Sequence, residues 1–144
     1  MQPFSRDHLI GLFHAQRLIK LQGTSDDQLL CETVAAFERA WRCEISVHFA
    51  DEDRLIGPLP LSRESLQKLN DEHVQLTALI EQVFKEPFSA SLAAQVGNLL
   101  DAHIRWEEHE LFPEVESSLS EPDLIALGEQ TAIMELSRDR KLLP

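Results

Sequence analysis

Histidine and glutamate recur four residues apart at two places in the sequence, and this pattern has more potential for chemistry than any other in the chain. The pairs are His48 with Glu52 and His103 with Glu107. Residues four apart lie on one face of a helix, so each pair can offer an imidazole and a carboxylate to one metal ion or to two adjacent ions. One such pair is common, but two pairs with His73 between them indicate a shared metal site.

Helix-breaking and helix-capping residues divide the chain into the elements that must position these side chains. The predicted helices run from about residue 3 to 21, from Ser25 or Asp26 to about 56, from 63 to 85, from Ser89 to about 118, and from about 122 to 138. Ser62 is the expected cap of the third helix. We therefore expect an all-α protein of a single domain, residues 1–144. It consists of an antiparallel up-down-up-down four-helix bundle, about 3–118, and a short extra C-terminal helix.

Apolar residues at steps of three and four predict a buried stripe on each long helix. The histidine–glutamate pairs fall on these stripes. The predicted stripes are Leu30, Val34, Phe37, Trp41, Ile45, His48, Glu52 and Leu55; Leu66, Leu69, His73, Leu76, Ile80 and Val83; and Val96, Leu100, His103, Glu107 and Leu111. A buried ionised carboxylate is costly without a compensating charge, so two of them in one core favour a bound cation.

Helix rise provides a test of whether these residues meet. Counted from the turns that join their helices, His48, His73 and His103 lie within a few ångströms of one plane at ~1.5 Å per residue. His8 fits less well, because it lies about thirteen residues before its turn, whereas His48 lies about twenty beyond it. Geometry alone therefore indicates three histidines at one level and leaves His8 open.

Composition and charge narrow the functional classes. The net charge of −12 argues against nucleic acid and anionic membranes as partners. No run approaches the ~20 apolar residues of a membrane span, and no signal peptide is recognisable, so a cytoplasmic protein is expected. Cys31 and Cys43 would lie about 18 Å apart on one helix, which predicts two free thiols, buried and inert.

The sequence resembles the hemerythrin-like HHE cation-binding family over roughly residues 6 to 118. The runs that carry this resemblance are Arg6-Asp7-His8, His48-Phe49 with Glu52, Asn70-Asp71-Glu72-His73, and His103-Ile104-Arg105-Trp106-Glu107-Glu108 with Leu111-Phe112-Pro113. The resemblance implies a non-haem di-iron centre inside a four-helix bundle. By matching position it implies six metal ligands, with the two glutamates bridging the irons: His8, His48, Glu52, His73, His103 and Glu107.

The sequence departs from the family pattern at two positions. Oxygen-carrying members have a second histidine one turn after the third-helix histidine, where this chain has Thr77. Some members place a glutamate directly after the second-helix histidine, where this chain has Phe49. Imidazole and carboxylate ligands without thiolate also suit Mn or Zn, so iron is the first expectation among three metals.

Three functions follow from this interpretation. The first is binding or sensing of O2, NO or peroxide at the di-iron centre, with no readable nucleophile to indicate an enzyme. The second is a reactive role of the same centre in iron handling or in nitrosative or oxidative stress repair, and the third is a metal-free interaction module. The terminal helix is expected either to cover the bundle end or to form a homodimer contact.

Other residues are expected to stay outside the metal site. Glu108 is expected to face solvent or to pair with Arg105. His14 and His109 are expected at the surface or in a subunit contact. Trp41 and Trp106 are expected to pack in the core.

Overall fold

The computed structural model describes residues 1–137, and all the regular secondary structure in that range is helical. Its elements, in chain order, are α1 (Gln2–Ile19), α2 (Asp27–Ala40), a π-helical turn (Trp41–Ile45), α3 (Ser46–Leu55), α4 (Arg63–Lys85), α5 (Ala90–Trp106), a second π-helical turn (Glu107–Leu111), α6 (Phe112–Ser118) and α7 (Glu121–Ser137). The π-helical turns join α2 to α3 and α5 to α6 without a break. The described residues therefore form five continuous helical rods, as the sequence predicts.

The predicted helix starts are confirmed by their capping hydrogen bonds. The side chain of Asp26 accepts from the backbone N–H of Leu29, the third residue of α2. Ser62 and Ser89 accept in the same way from the third residue of α4 and of α5. Each bond satisfies one of the N–H groups that a helix start leaves without an intrahelical partner.

Both π-helical turns lie on the two rods that carry a histidine–glutamate pair, and the sequence patterns did not predict either of them. The second turn is followed by Pro113 at the start of α6. A proline inside a helix removes one backbone N–H and pushes its ring towards the carbonyl four residues earlier, here that of His109. Widening the helix over Glu107–Leu111 gives that ring room, which accounts for the second turn.

The predicted stripes are confirmed by burial: apart from Leu66, which is half-buried, all their members are buried. The apolar members of the stripes belong to two clusters, one on each side of the buried histidine–glutamate pairs. The larger cluster includes Leu18, Leu30, Phe37, Ile80 and Leu100, and the smaller includes Phe4, Ile56, Leu69, Leu111 and Phe112. Four buried histidines and two buried glutamates lie between these two clusters: His8, His48, Glu52, His73, His103 and Glu107.

Helix α1 packs closely against α5, and this contact places His8. A Cβ atom on Gly97 would lie only 2.7 Å from the carbonyl oxygen of Ala15, and one on Gly11 would lie 2.6 Å from Ile104 Cδ1. The neighbour of Gly97 is backbone, which cannot move aside, so only glycine at position 97 allows this approach of the two helices. The helical offset that left His8 open, about seven residues, amounts to about 10 Å at 1.5 Å per residue. The connection of residues 20–26 is long enough to span it at ~3.3 Å per residue.

Helix α7 packs against α1 and α3. Leu127 and Met134 lie in the smaller apolar cluster, so α7 covers this end of the structure, which was one of the two predicted alternatives. The predicted last residue of this helix, 138, and the rest of the basic end lie outside the described residues. None of the helices within residues 1–137 has the length and apolar character needed to cross a membrane.

Two expectations about burial are wrong. Cys31 and Cys43 are free, as predicted, but both are exposed rather than buried. His14 is buried rather than at the surface, with its ring between Phe13 and Phe37. Both errors arise at positions beside an apolar stripe, where a rotation of one residue, about 100°, decides between core and solvent.

Candidate metal centre

The structure brings together all six residues that the sequence singled out. They come from α1, α3, α4, α5 and the second π-helical turn. Every one of them is buried, and both glutamates have no exposed surface. We call this set the ligand cluster: His8, His48, Glu52, His73, His103 and Glu107.

The ligand cluster divides into two overlapping groups. The first group is His8, His48, Glu52 and Glu107, and the second is Glu52, His73, His103 and Glu107. Within each group one nitrogen or oxygen per residue lies within 4.8 Å of those of the other three. Each group could therefore hold a metal ion, and the two groups share both carboxylates.

Each carboxylate lies between the two groups. Glu52 Oε1 is 3.0 Å from His48 Nε2 and 3.4 Å from His73 Nε2. Glu107 Oε1 is 2.7 Å from His103 Nε2 and 3.5 Å from His8 Nε2. Each glutamate thus contacts at least one histidine of each group, which is the position that a bridging carboxylate requires.

These contacts are short, but they are not hydrogen bonds. The Nε2 atoms of all four histidines and both oxygens of both glutamates are buried without a hydrogen-bond partner, because the atoms are close but not aligned. Two donor atoms bound at right angles to one ion through bonds of about 2.1 Å lie about 3.0 Å apart, so separations of this size are those of co-ligands. Buried polar atoms without a partner are rare in proteins, and eight around one space fit a bound cation.

The other ring nitrogen of each histidine is held by an acidic side chain, and we call these four residues the outer acids. An ionised carboxylate can only accept, so each Nδ1–H donates and each Nε2 can direct its lone pair into the ligand cluster. The four bonds are His8 to Glu108 at 2.6 Å, His48 to Asp7 at 3.0 Å, His73 to Asp53 at 2.8 Å and His103 to Glu72 at 3.2 Å. This is the arrangement that fixes metal-binding imidazoles in proteins.

Glu108 corrects one expectation. It accepts from His8 across the structure and does not pair with Arg105, which pairs with Asp101. The expectation rested on Glu108 lying 100° away from the buried stripe. That direction leads to the boundary with α1 rather than to open solvent.

Charge dominates the ligand cluster in the metal-free protein. Burial lowers the pKa of His48, but Glu52 and Asp7 raise it more, and the result is a pKa of about 10. Burial acts on His103 in the same way, and Glu107 and Glu72 raise its pKa to about 10. Burial raises the pKa of Glu107, but His103, Glu52 and His8 together lower it more, so this pKa falls well below its usual range. A metal ion must therefore displace protons to bind.

Aromatic rings enclose the cluster on two sides. Phe49 stacks on His73 with ring centroids 4.1 Å apart, and Phe112 stacks on His8 at 5.3 Å. An open cavity of about 510 Å³ lies next to His73, and Phe49 and Thr77 are among its lining residues. Thr77 donates its hydroxyl to the carbonyl oxygen of His73 at 2.7 Å, so its side chain is engaged with its own helix.

The remaining expected non-ligands lie outside the cluster. His109 is exposed. Trp41 is buried in the larger apolar cluster, and Trp106 packs against the smaller one. Lys68 lies over the Trp106 ring, 5.0 Å from its centroid.

Comparison with known proteins does not assign this chain to a family. No family model, no curated protein and no solved structure matches it. A function for this chain must therefore be inferred from the geometry of the ligand cluster and from the sequence resemblance described above.

Proposed function

We propose that this chain is a hemerythrin-like protein that binds two iron ions, bridged by Glu52 and Glu107, and that binds or senses a small ligand such as O2, NO or peroxide. The observation that carries the proposal is the set of eight buried atoms without a hydrogen-bond partner, which lie in two groups that share both carboxylates. Two overlapping groups match two ions better than one.

A buried network of ion pairs is the main alternative to a metal centre. Protonated histidines facing ionised glutamates would balance charge without any ion. Such a network repays its desolvation cost only through well-aligned hydrogen bonds. The inner atoms of the ligand cluster lack that alignment, whereas the outer Nδ1 atoms have it. The contrast favours a cation at the centre.

The donor chemistry favours iron within a short list of metals. The cluster offers imidazole and carboxylate, and both cysteines are exposed outside it. Each group supplies two histidines together with carboxylate, a donor set typical of non-haem iron, while Mn and Zn share the same preferences. A carboxylate-bridged pair inside a helical core is also the arrangement of di-iron bundle proteins. The sequence resemblance points to the same metal.

We further propose that the four long rods form an antiparallel up-down-up-down bundle. Connections of a few residues join consecutive rods, and α1 packs against α2 and α5, while α4 packs against α2 and α5. Short connections between long helices favour antiparallel neighbours. This arrangement brings the ligands of four rods to one depth.

Two histidines per group leave ligand positions for a small molecule. A bound iron pair would supply a redox-active centre with such open positions. This chain contributes an enclosed, largely apolar setting through Phe49 and Phe112, and a route from solvent through the cavity beside His73 and Thr77. These features support ligand binding at the second group.

Metal analysis of paired histidine variants tests the proposal. The protein is loaded with Fe(II) under anaerobic conditions, desalted, and its iron per chain is measured, followed by an optical spectrum after addition of O2 or azide. We expect about two irons per wild-type chain and a new visible absorption band. His73→Ala should lower the iron content well below the wild-type ratio, and the matched variant His109→Ala should not. Equal losses in both variants, or no iron in the wild type, would contradict the proposal.

A further inference from the structure

The outer acids are distributed in a regular way. Each lies directly beside a member of the ligand cluster in the sequence. The four adjacent pairs are Asp7 with His8, Glu52 with Asp53, Glu72 with His73, and Glu107 with Glu108. On a helix the neighbouring residue points about 100° away, so one member of each pair faces the cluster and the other faces an adjacent rod.

Each outer acid holds a histidine of a different rod. The acid on α1 binds the histidine on α3, the acid on α3 binds that on α4, the acid on α4 binds that on α5, and the acid after α5 binds that on α1. The four bonds therefore form a closed ring around the ligand cluster. Each rod of the ring donates one hydrogen bond from its histidine and accepts one at its acid.

We propose that Asp7, Asp53, Glu72 and Glu108 are positioning residues that tie the two metal sites into one assembly, each aiming the metal-binding nitrogen of the next rod. The inference rests on the proposed metal binding. It goes beyond it, because it assigns a metal-directed role to four residues outside the ligand cluster. Acceptors on the far nitrogen of a metal-bound imidazole fix its orientation and raise its basicity.

The ring also assigns each outer acid to one ion. Asp53 and Glu72 hold the histidines of the second group, and Asp7 and Glu108 hold those of the first. Removing one acid should therefore directly weaken the binding of one ion. The other ion should be affected less, through the two shared glutamates.

An ordinary stabilising ion pair is the competing explanation for each outer acid. Glu72 also pairs with Lys68 at 2.8 Å, so its loss could act on the fold without any effect on metal. The two roles predict different measurements. A stabilising pair changes the unfolding of the metal-free protein, whereas a positioning residue changes the affinity and the spectrum of one bound ion.

Titration with Co(II), an optically visible substitute for Fe(II), separates these roles. Affinities for the two ions are measured by competition with a chelator in wild type, Glu72→Ala, Glu72→Gln and Asp71→Asn. Asp71 is the exposed neighbour of Glu72 and serves as the control. We expect Glu72→Ala to weaken one ion by about 10- to 100-fold and to change the absorption of that ion alone. Glu72→Gln keeps an acceptor oxygen and should fall between wild type and Glu72→Ala, and Asp71→Asn should match wild type.

A second pair tests the assignment to individual ions. Glu108→Ala should weaken the binding of the ion whose affinity is unchanged in Glu72→Ala. The control Glu110→Ala changes an exposed residue nearby and should weaken the binding of neither ion. Thermal unfolding of each variant in chelator records the metal-free stability separately.

The outcomes distinguish the two proposals. Wild-type protein that binds no Co(II) or Fe(II) would contradict the proposed function itself. Wild type that binds two ions, with Glu72→Ala and Glu108→Ala equally tight, would overturn the ring inference alone. Loss of metal-free stability with unchanged affinity would also overturn it.

Discussion

Two regions of this protein bury histidine in opposite ways. His14 lies in the larger apolar region beside Phe37, and burial together with Arg17 and Arg39 lowers its pKa to about 4. His48 lies in the ligand cluster, and nearby carboxylates raise its pKa to about 10 in spite of burial. Burial alone therefore does not mark a histidine as functional. What differs is whether acidic groups from other rods converge on the ring.

The same contrast separates two kinds of core. The apolar region is stable through burial of side chains such as Leu30 and Phe37, which need no partner beyond contact. The ligand cluster instead buries ionisable side chains, and its Nε2 and carboxylate oxygen atoms have no hydrogen-bond partners. The apolar region should therefore tolerate removal of metal. The ligand cluster should gain most of its stability from bound metal.

The largest expected effect is the loss of metal-linked stability when a shared carboxylate is removed. Each ion that binds only the folded protein adds about 4 kcal/mol at a free concentration 1,000 times its Kd. Glu107→Ala should abolish most of this gain for both ions, because both groups use Glu107. The measurement is denaturant unfolding with Fe(II) and with chelator. Glu110→Ala, at an exposed position three residues away, should keep the full gain, and a Glu107→Ala protein with two tightly held ions would refute the shared role.

A truncation in the apolar region should act on stability without acting on metal. Leu30→Ala removes a buried side chain far from the ligands and should cost about 2–5 kcal/mol of unfolding free energy, with metal and with chelator alike. The iron content of the folded protein should stay at the wild-type ratio. Leu29→Ala, the exposed neighbour, should cost less than about 1 kcal/mol. Loss of iron in Leu30→Ala would show that the two regions are not independent.

The smallest expected effect is the pH dependence contributed by His14. Its pKa in the folded protein, about 4, lies below the value of about 6.5 expected in the unfolded chain, so the unfolded state binds more protons between these values. The stabilising contribution is present above pH 6.5 and is lost as the pH falls towards 4. Between pH 7 and 5 the loss should be about 2 kcal/mol, and His14→Leu should remove it.

The check is chemical unfolding of both proteins in chelator across this range. The difference in unfolding free energy between wild type and His14→Leu should be constant from pH 7 to 8 and should shift below pH 6.5 in favour of the variant. Parallel curves down to pH 5 would rule out a buried neutral His14.

Much of the fold could be predicted from the sequence, because the capping residues and the apolar spacing within each helix agree with the observed helices. The capping residues Asp26, Ser62 and Ser89 and the three- and four-residue spacing of apolar positions act within single helices. They identified the helix starts and the buried stripes. The convergence of the six-residue ligand cluster also followed from spacing, with His8 added by the family resemblance. Metal binding by these residues remains a prediction.

What the sequence did not reveal depends on contacts between rods. The outer acids lie one residue away from the positions that face the cluster, and on a single helix such a position is expected to face solvent. In the folded protein it faces a neighbouring rod instead. The first π-helical turn, Trp41–Ile45, has no proline after it to indicate it. The burial of His14 and the exposure of Cys31 and Cys43 depend on small rotations that periodicity does not fix.

The closed order of the outer acids has a consequence for exchanging parts of this molecule. A single rod taken from another helical protein would break two of these bonds, because its own histidine and the histidine on the next rod would both lose their acceptors. A closed ring has two boundaries however many successive rods are exchanged. A chimera must therefore match an acid to a histidine at both boundaries of the exchanged segment.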